Sequence, residues 1–235
     1  MALLDEAIDA SGGLALWNRL TRFTLQLSIE GSLLTGASEV ARFKDIVAEG
    51  CFRRRFVRLT GFANAGRSGV YRPNCVTIEN SEGDVLRTWN NPHQPINHTA
   101  AEPFQEEPYL VFLCGFSIWN YLITPFLMAH PGVQIEELPP WHQQDQPWRR
   151  LKAVFPPDLV THSPVQIFYF DAAGLLRRTD HYLFGIKVAT YSSAHQSFCG
   201  IVIPTLRRSL TLEADGTVIA KPSLLDVEIF DAKLE

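Results

Sequence analysis

Residues 165–183 read VQIFYFDAAGLLRRTDHYL, and this stretch indicates the fold most directly. A run rich in aromatic and β-branched residues, 165–170, and a second run of mixed polarity, 175–183, flank a turn at 171–174, a pattern typical of an antiparallel hairpin. Pairing Phe170 with Leu175 predicts which side chains share a face, because side chains alternate along a strand. The sequence therefore predicts a β-hairpin with a defined register.

The same alternation recurs along most of the chain. Between Phe23 and Ile29, apolar residues take every second position. Turn signals at 81–84 and 214–216 join further pairs of strands. The predicted strands are residues 23–30, 39–48, 52–60, 75–79, 85–89, 133–138, 148–155, 165–171, 175–183, 186–192, 201–212, 217–219 and 225–230. So many strands with so few helices exclude a βαβ enzyme.

Helical periodicity is confined to three places. Apolar residues recur at helical spacing in 3–8 and in 14–20, with two glycines between them. The most apolar stretch, 109–129, contains Thr124-Pro125, and proline disfavours helix in the residue before it, so we predict two helical pieces. Polar residues interrupt the stretch and no Lys or Arg flanks it, which favours a buried helical block over a membrane span.

Composition favours a globular chain with a large core. Of 235 residues, 46% are hydrophobic and 20% charged, and we expect a single domain over 1–235. The net charge of -4 offers nucleic acid no general attraction.

The cysteines form no C-x-x-C pair and no nucleotide-binding or zinc-protease motif occurs, so we expect neither cofactor nor metal. The N-terminus lacks the pattern of a secretory signal, and we expect a cytoplasmic protein.

Several short strings, taken in order, look like one protein family. They are Ser11-Gly12-Gly13 with Trp17, GFSIWNY at 115–121, TPF at 124–126, WRRL at 148–151, FP at 155–156, THS at 161–163, FYFDAAGLLRR at 168–178, and Gly200 with Pro204-Thr205. Together they resemble bacterial proteins grouped in the LolA-like half-barrel superfamily, which includes LolA, LolB and LppX. The best-known members of that superfamily carry lipoproteins or lipids across the periplasm.

The resemblance implies a mainly β (α+β) fold with a single curved antiparallel sheet. It implies an unclosed half-barrel of about 11–12 strands, with short N-terminal helices and the apolar helical block covering the concave face. An apolar ligand would lie between helices and sheet. The first cysteine is Cys51, so the chain has no lipobox cysteine near its start, and we expect a cytosolic relative with a different ligand.

The hairpin carries the first candidate site. The predicted register groups these side chains on one face: His162, Gln166, Phe168, Phe170, Arg177 and His181. The two histidines, assisted by Arg177 and Gln166, could bind a carboxylate or enolate, or move a proton near neutral pH. The alternative is that this face is convex and wetted. Arg178 and Asp180, on the opposite face, are predicted to form a surface ion pair of little energetic worth.

The apolar block carries a second candidate set, of either helix core or cavity lining: Trp119, Tyr121, Phe126 and Met128. In the cavity interpretation they line the ligand site together with Phe168 and Phe170. His93 and His98 lie in a proline-rich loop, but no nearby residue completes a ligand set, so we predict no metal there.

The sequence leaves three function classes open. The first is a binder of a hydrophobic or amphipathic small molecule, either lipid-like or a biosynthetic intermediate. The second is a cofactor-independent enzyme, a cyclase or isomerase using acid-base chemistry on an apolar intermediate in the same cavity. The third is a structural partner protein with a large exposed apolar patch. One scaffold can serve any of these roles, and the oligomeric state is equally open.

Overall fold

The computed structural model describes residues 2–34, 43–62, 66–93, 107–143, 146–183 and 185–235. The helical elements are α1 (Leu3–Ala10), α2 (Leu14–Trp17) and α3 (Glu107–Ile123), with 3-10 turns at Ser32–Leu34 and Phe126–Ala129. The two short N-terminal helices and the break in the apolar block near Pro125 are thereby confirmed.

Most of the described chain is β-strand. The strands are β1 (Arg22–Glu30), β2 (Ile46–Cys51), β3 (Phe56–Thr60), β4 (Ser68–Arg72), β5 (Cys75–Glu79), β6 (Val85–Asn90), β7 (Gln134–Gln143), β8 (Gln146–Val154), β9 (Val165–Phe170), β10 (Leu176–Leu183), β11 (Ile186–Phe198), β12 (Ile201–Leu212), β13 (Val218–Ile219) and β14 (Leu225–Leu234). They form one 14-stranded sheet in the order β6-β5-β4-β3-β2-β1-β14-β12-β11-β10-β9-β8-β7, with β13 paired to β12.

The predicted fold class is confirmed. Strands that follow one another in sequence pair antiparallel, except β6 with β7 and β13 with β14. Because β6 and β7 end the sheet, the described strands do not close into a barrel. The strand count was too low. The strand β4 was not predicted, because Ser68-Gly69 at its start is a typical turn signal. Residues 39–42 of the second predicted strand lie outside the described residues.

Two compact units share this sheet. Unit 1 comprises residues 1–19 and 123–226, and unit 2 comprises residues 20–122 and 227–235. The expectation of a single domain stays a prediction.

In unit 1, α1 and the Phe126–Ala129 turn cover one face of the strands β8 to β10. The core there is formed by Leu3, Ala7, Met128, Leu151, Ala153, Phe155, Leu159, Phe168, Phe170 and Leu176. The α1 helix also contacts the hairpin turn, where a Cβ on Gly174 would lie 3.0 Å from the Glu6 carbonyl oxygen. Because Gly174 also has a φ of +78°, glycine is required at this turn.

In unit 2, α3 packs on β4 so closely that two glycines are needed. A Cβ on Gly69 would lie 2.3 Å from Val111, and a Cβ on Gly115 would lie 2.7 Å from the Tyr71 Cβ. The buried residues of α3 include apolar side chains on all its faces, as expected for a helix inside a core. Within the described part of the chain, no helix is long and apolar enough to cross a membrane.

The β9–β10 hairpin differs from the predicted register. Phe170 pairs with Leu176 instead of Leu175, and after a bulge Tyr169 pairs with Arg178, a second shift of one residue. Together, the two shifts of one residue return the following side chains to their predicted face of the sheet, because side chains alternate with a period of two. Thr179 and the residues beyond it therefore lie on the predicted face, whereas Arg177 falls at the bulge.

Candidate functional site

The imidazoles of His162 and His181 stack on each other in unit 1. Their ring centroids are 4.6 Å apart and the rings are inclined by 23°. His181 is 3% exposed, and His162 is half-buried with its Nε2 atom buried. The pair therefore lies inside the protein, and the interpretation of this face as convex and wetted does not describe these two side chains.

His162 is placed by an irregular segment that precedes β9. The Ser163 hydroxyl donates to the Val165 carbonyl at 2.8 Å and accepts from the Tyr182 amide at 3.2 Å. The Gln166 side-chain amide donates to the Ser163 carbonyl at 3.2 Å. These bonds attach the segment to β10, so His162 lies beside His181 through local hydrogen bonds and not through the predicted strand pairing.

The same face carries a row of hydroxyl groups. Phe168 pairs with Thr179, Thr179 with Thr190, and Thr190 with Ser209, so these four side chains share one face. Phe168 belongs to the core beneath α1, which identifies this face as the helix-covered one. Thr190 and Ser209 are 1% and 0% exposed. Hydroxyl groups so deeply buried must form hydrogen bonds to be tolerated.

A directed hydrogen-bond chain connects these hydroxyls to His181. The His181 Nδ1 atom lies 3.3 Å from the Tyr182 carbonyl oxygen, which can only accept, so Nδ1 carries the proton. The Nε2 atom then accepts from the Thr190 hydroxyl at 3.0 Å. Thr190 in turn accepts from the Ser209 hydroxyl at 2.9 Å. The chain of bonds thereby assigns one tautomer to His181.

Arg207 brings a permanent positive charge to this face. It is 4% exposed, it pairs with Ser192 in the β11–β12 ladder, and its Nη1 atom donates to the Ser192 hydroxyl at 3.2 Å. Arg207 and Ser209 lie two residues apart on β12 and therefore share the face. We name the following residues the buried polar cluster: His162, His181, Thr190, Ser192, Arg207 and Ser209.

Burial keeps both histidines neutral. Desolvation is the main cause that lowers the pKa of His181 to about 4; the hydrogen bond to the Tyr182 carbonyl and the charge of Asp180 oppose it, and the positive charge of Arg207 adds a smaller downward effect. Desolvation, His181 and Arg207 also hold the pKa of His162 well below its ordinary range. At neutral pH the cluster thus contains one cation and two neutral imidazoles. An imidazole with so low a pKa is a weak general base.

Arg177 does not join this cluster, contrary to the prediction. At the bulge its Nε atom pairs with Asp171 Oδ2 at 3.1 Å, and its side chain is about one-third exposed. Arg207, from the next hairpin, is the cation whose charge acts on both histidines. Gln166 is 5% exposed and lies on the predicted face, where it bonds Ser163. The roles proposed for His162, His181, Arg177 and Gln166 in catalysis stay predictions.

The apolar candidates lie in the cores of the two units. Phe168, Phe170 and Met128 belong to the core beneath α1, and Phe126 stacks on Trp17 with ring centroids 4.4 Å apart. In unit 2, Tyr121 is buried, and Trp119 is buried with the Arg55 guanidinium 5.3 Å from its ring. Trp119, Tyr121, Phe126 and Met128 thus satisfy the helix-core interpretation. The part of all six apolar candidates in lining a ligand cavity stays a prediction.

The Arg178–Asp180 pair is buried, so the prediction of a weak surface ion pair was wrong. The Arg178 side chain is 4% exposed and bonds both carboxylate oxygens of Asp180, at 2.6 and 3.0 Å. Its guanidinium lies within 5.4 Å of the rings of Trp141, Tyr169 and Tyr191. These aromatic side chains exclude water from the ion pair, an effect that alternation along a single strand does not reveal.

His93, in the turn that follows β6, packs within unit 2. Its Nε2 atom lies 3.2 Å from the Tyr71 hydroxyl, and its ring meets Phe112 and Phe116 edge to face. Burial lowers the pKa of His93 to about 4. His98 lies outside the described residues. Among those that are described, no group of three potential metal ligands is found.

Sequence reasoning missed Thr190, Ser192, Arg207 and Ser209. The available signal was the alternation of polar residues along β11 and β12, but alternation assigns polar positions to water by default. Here the assignment is reversed, since Arg207 is 4% exposed and its apolar neighbour Leu206 is 40% exposed. Only the pairing with the β9–β10 hairpin identifies the polar face as the covered one.

No protein-family profile matches the chain, and no curated protein matches it in sequence. Solved structures are similar. A LolA superfamily protein from Nitrosomonas europaea has a TM-score of 0.51 at 9% identity, over 99% of this chain and 92% of that chain. A domain from Vibrio parahaemolyticus assigned to outer membrane lipoprotein sorting has a TM-score of 0.47 at 10% identity, over 99% and 91% of the two chains.

A DUF1329 family protein from Desulfovibrio piger has a TM-score of 0.45 at 10% identity, over 99% of this chain and 92% of that chain. Identities this low bear on the fold alone. The similarity to the Nitrosomonas protein spans nearly the whole length of both chains and agrees with the open antiparallel sheet described above. The chain therefore has the LolA-like fold.

Proposed function

We propose that this protein binds an amphipathic small molecule, with the polar end of the ligand at the buried polar cluster and its apolar part against neighbouring apolar side chains. The observation that carries the proposal is the burial of the cluster on the helix-covered face of the sheet. Phe168 begins the row that continues through Thr179, Thr190 and Ser209, so apolar and polar surface adjoin on one face.

The energetics of burial support a functional role for the cluster. Burying polar groups costs free energy even when they are hydrogen-bonded, whereas apolar side chains of the same size would stabilise the core. Proteins depart from the most stable arrangement chiefly at functional sites. Arg207, Thr190 and Ser209 stand where a β-sheet core ordinarily has Val, Ile or Leu, and recognition of a polar group is a reason to keep them there.

Other observations agree with binding more than with catalysis. The chain shares the LolA-like fold with the Nitrosomonas protein, and the sequence resembles a superfamily whose best-known members carry lipoproteins or lipids. The low pKa of His181, about 4, makes its imidazole a weak base at neutral pH, which counts against the acid-base enzyme. We propose the cytosol as the compartment, an expectation from the sequence alone.

The direct test is to identify what the purified protein carries. Organic-solvent extraction followed by mass spectrometry should recover a bound amphiphile, and dodecanol, dodecanoate or lysophosphatidylcholine should raise the melting temperature of stripped protein. Thr190→Val, which replaces a hydroxyl of the cluster by a methyl group, should weaken binding. The exposed Ile219→Thr is the matched control. An empty extract together with unchanged melting temperatures for all three amphiphiles would contradict the proposal.

A further inference from the structure

A group of polar side chains lies at one end of the unit 2 strands. The antiparallel register that joins β3 to β6 places the start of β3 beside the ends of β4 and β6. Arg55 directly precedes β3, Tyr71 lies near the end of β4, and His93 comes shortly after β6. The ring of Trp119, on α3, lies 5.3 Å from the Arg55 guanidinium. We name Arg55, Tyr71, His93 and Trp119 the rim cluster.

Aromatic rings form a wall beside these groups. Phe112, Phe116 and Trp119 recur at helical spacing and share one face of α3. The His93 ring meets Phe112 and Phe116 edge to face, with ring centroids 5.0 and 4.9 Å apart. The Nε2 atom of His93 also lies 3.2 Å from the Tyr71 hydroxyl. Apolar surface and polar atoms therefore adjoin at this end of unit 2.

Arg55 brings a positive charge to the rim cluster. It differs from Arg58, which pairs with Glu79 at 2.8 Å. Among the residues that the structure describes, no acid pairs with Arg55, and its guanidinium lies over the Trp119 ring. A contact with a ring face uses none of the hydrogen bonds that a guanidinium can donate to oxygen. Because Arg55 is half-buried, a ligand can reach these donors from solvent.

The backbone at Arg55 has a conformation that favours glycine. Its φ is +47°, in the left-handed region, where the Cβ atom of an ordinary residue crowds the backbone. Strained residues of this kind are found mainly at active sites and ligand-binding sites. Glycine would adopt the same turn without strain, so an arginine at this position indicates a use for its side chain.

The rim cluster also contains a hydrogen-bond donor that is not satisfied. Trp119 is 4% exposed, and its buried indole N–H has no acceptor within the part of the chain that the structure describes. A buried donor without an acceptor costs free energy, which an oxygen atom of a ligand would offset. Burial, with a smaller contribution from the charge of Arg55, lowers the pKa of His93 to about 4. The His93 ring is therefore neutral at pH 7, and Arg55 is the cation of the cluster.

We propose that the rim cluster binds the carboxylate of a small aromatic acid, with the Arg55 guanidinium and the Trp119 indole N–H as donors and the ring of the acid against the aromatic wall. The guanidinium offers two parallel N–H donors that match the two oxygens of a carboxylate. Aromatic rings pack favourably on one another in edge-to-face and offset geometry. This site lies in unit 2 and goes beyond the proposed function, which concerns the buried polar cluster of unit 1.

The charge of the rim cluster favours a carboxylate over other head groups. A monoanion neutralises a single guanidinium. A phosphate monoester carries about -1.5 to -2 charges at neutral pH and would leave negative charge uncompensated. A carboxamide has the same shape as a carboxylate but lacks the charge that strengthens its hydrogen bonds to a guanidinium.

The test compares ligands that share one aromatic ring system. Isothermal titration at neutral pH would measure 2-naphthoate, 2-naphthamide and 2-naphthyl phosphate against the wild-type chain, Arg55→Met and Arg54→Met. Arg54 is the matched control, because it precedes Arg55 in the same turn, carries the same charge and is exposed. We expect wild type and Arg54→Met to bind 2-naphthoate about 10-fold or more tighter than 2-naphthamide, and Arg55→Met to lose this preference.

Arg55→Gly provides a second variant that should fold. Glycine adopts a φ of +47° without strain, so the melting temperature of this variant should equal or exceed that of Arg55→Met. It should likewise show no preference for 2-naphthoate. In addition, NMR should show the indole N–H resonance of Trp119, assigned with Trp119→Phe, shifting when 2-naphthoate is added to the wild type and not when it is added to Arg55→Met.

The contrary outcomes are distinct from those of the proposed function. Equal affinity of the wild type for 2-naphthoate and 2-naphthamide, or no binding of either, would overturn the rim-cluster proposal. Tighter binding of 2-naphthyl phosphate than of 2-naphthoate would also overturn it, as would a preference that survives in Arg55→Met and Arg55→Gly. An indole resonance that does not shift would contradict the part assigned to Trp119. Each of these results leaves the amphiphile-binding proposal for unit 1 intact.

Discussion

The face of β4 and β5 beneath α3 and the face of β10 to β12 with the buried polar cluster are both inaccessible to water, yet their side chains differ in character. In unit 2 the buried face holds Gly69, Tyr71, Val76 and Ile78, packed on α3. In unit 1 it holds hydroxyls, two imidazoles and a guanidinium. Apolar burial contributes about 25 cal/mol per Å² to stability, whereas polar burial contributes little net free energy.

We interpret the unit 2 face as one that stabilises the fold and the unit 1 face as one suited to ligand recognition. The side chains on the unit 2 face are closely packed, so their contribution to stability depends on the apolar area that they bury and on how well their shapes fit together. The unit 1 face combines an apolar part, Phe168 and Phe170 beneath α1, with a polar part that offers hydrogen bonds and charge. Substitutions in the apolar regions should therefore change the free energy of unfolding strongly, and those in the polar cluster should change pH dependence and binding more than stability.

The largest effect is expected for Phe170→Ala. Phe170 is 0% exposed in the core beneath α1, and truncating a buried phenylalanine to alanine costs about 3–5 kcal/mol of unfolding free energy through lost transfer energy and a cavity. Urea denaturation followed by tryptophan fluorescence measures it. Phe230→Ala is the control, because Phe230 is 48% exposed and should cost much less. Equal losses would mean that α1 does not pack on this core.

Gly69→Val should also destabilise strongly. Its Cβ would meet Val111 at 2.3 Å, so the loss should reach the upper part of the about 1–3 kcal/mol typical of overpacking. The double variant Gly69→Ala/Val111→Ala should lose less than the sum of its two single variants, because removing the Val111 methyl groups makes room for the new Cβ. Strict additivity in this cycle would contradict the close approach of α3 to β4.

His181 should make stability dependent on pH. Its pKa is about 4 in the folded chain and about 6.5 when unfolded, so the unfolded state binds the proton more tightly. The stabilising contribution is thus present above about pH 6.5 and is lost as the pH falls towards 4, with about 2 kcal/mol lost between pH 7 and 5. His181→Asn should reduce the pH dependence by that amount in urea titrations at both values. His142→Asn, a substitution in β7, is the control. If the unfolding free energies of wild type and His181→Asn depended equally on pH, His181 would not be buried in its neutral form.

Ser192→Ala should have the smallest effect on stability. It removes one hydrogen bond to the Arg207 guanidinium, for which about 1–2 kcal/mol is expected. Thermal denaturation with and without dodecanoate measures the loss and its coupling to binding. Ser197→Ala, an exposed position further along β11, is the matched control and should change neither quantity. A loss above that of Gly69→Val would assign the cluster a mainly structural role.

Much of the fold was predictable from local patterns. The strands Cys75–Glu79 and Ile201–Leu212 were predicted with their observed bounds, and the break after Ile123 followed from Pro125. These features depend on alternation, turn residues and proline geometry, which act over a few neighbouring residues. The β4 strand was missed because the contact that requires Gly69, its packing against Val111, comes from a residue far away in sequence.

The candidate site was predictable only in part. His162 and His181 were expected to be neighbours, and they stack, but the bulge between Leu176 and Arg178 and the Ser163 hydrogen bonds were not foreseen. A bulge depends on how two strands fit together, and no single-strand pattern encodes it. For the same reason Arg177 was assigned to the site in place of Arg207.

By itself the sequence determined the class of fold, most of the strands along the chain and the apolar helical block, because hydrophobic periodicity and turn chemistry are local properties of the chain. Only the tertiary structure decided which sheet face is covered, and with it whether Arg207 and the hydroxyls of β11 and β12 meet water or the protein interior. The physical reason is that alternation places two sets of side chains on opposite faces, and the packing of other elements then determines which face is buried.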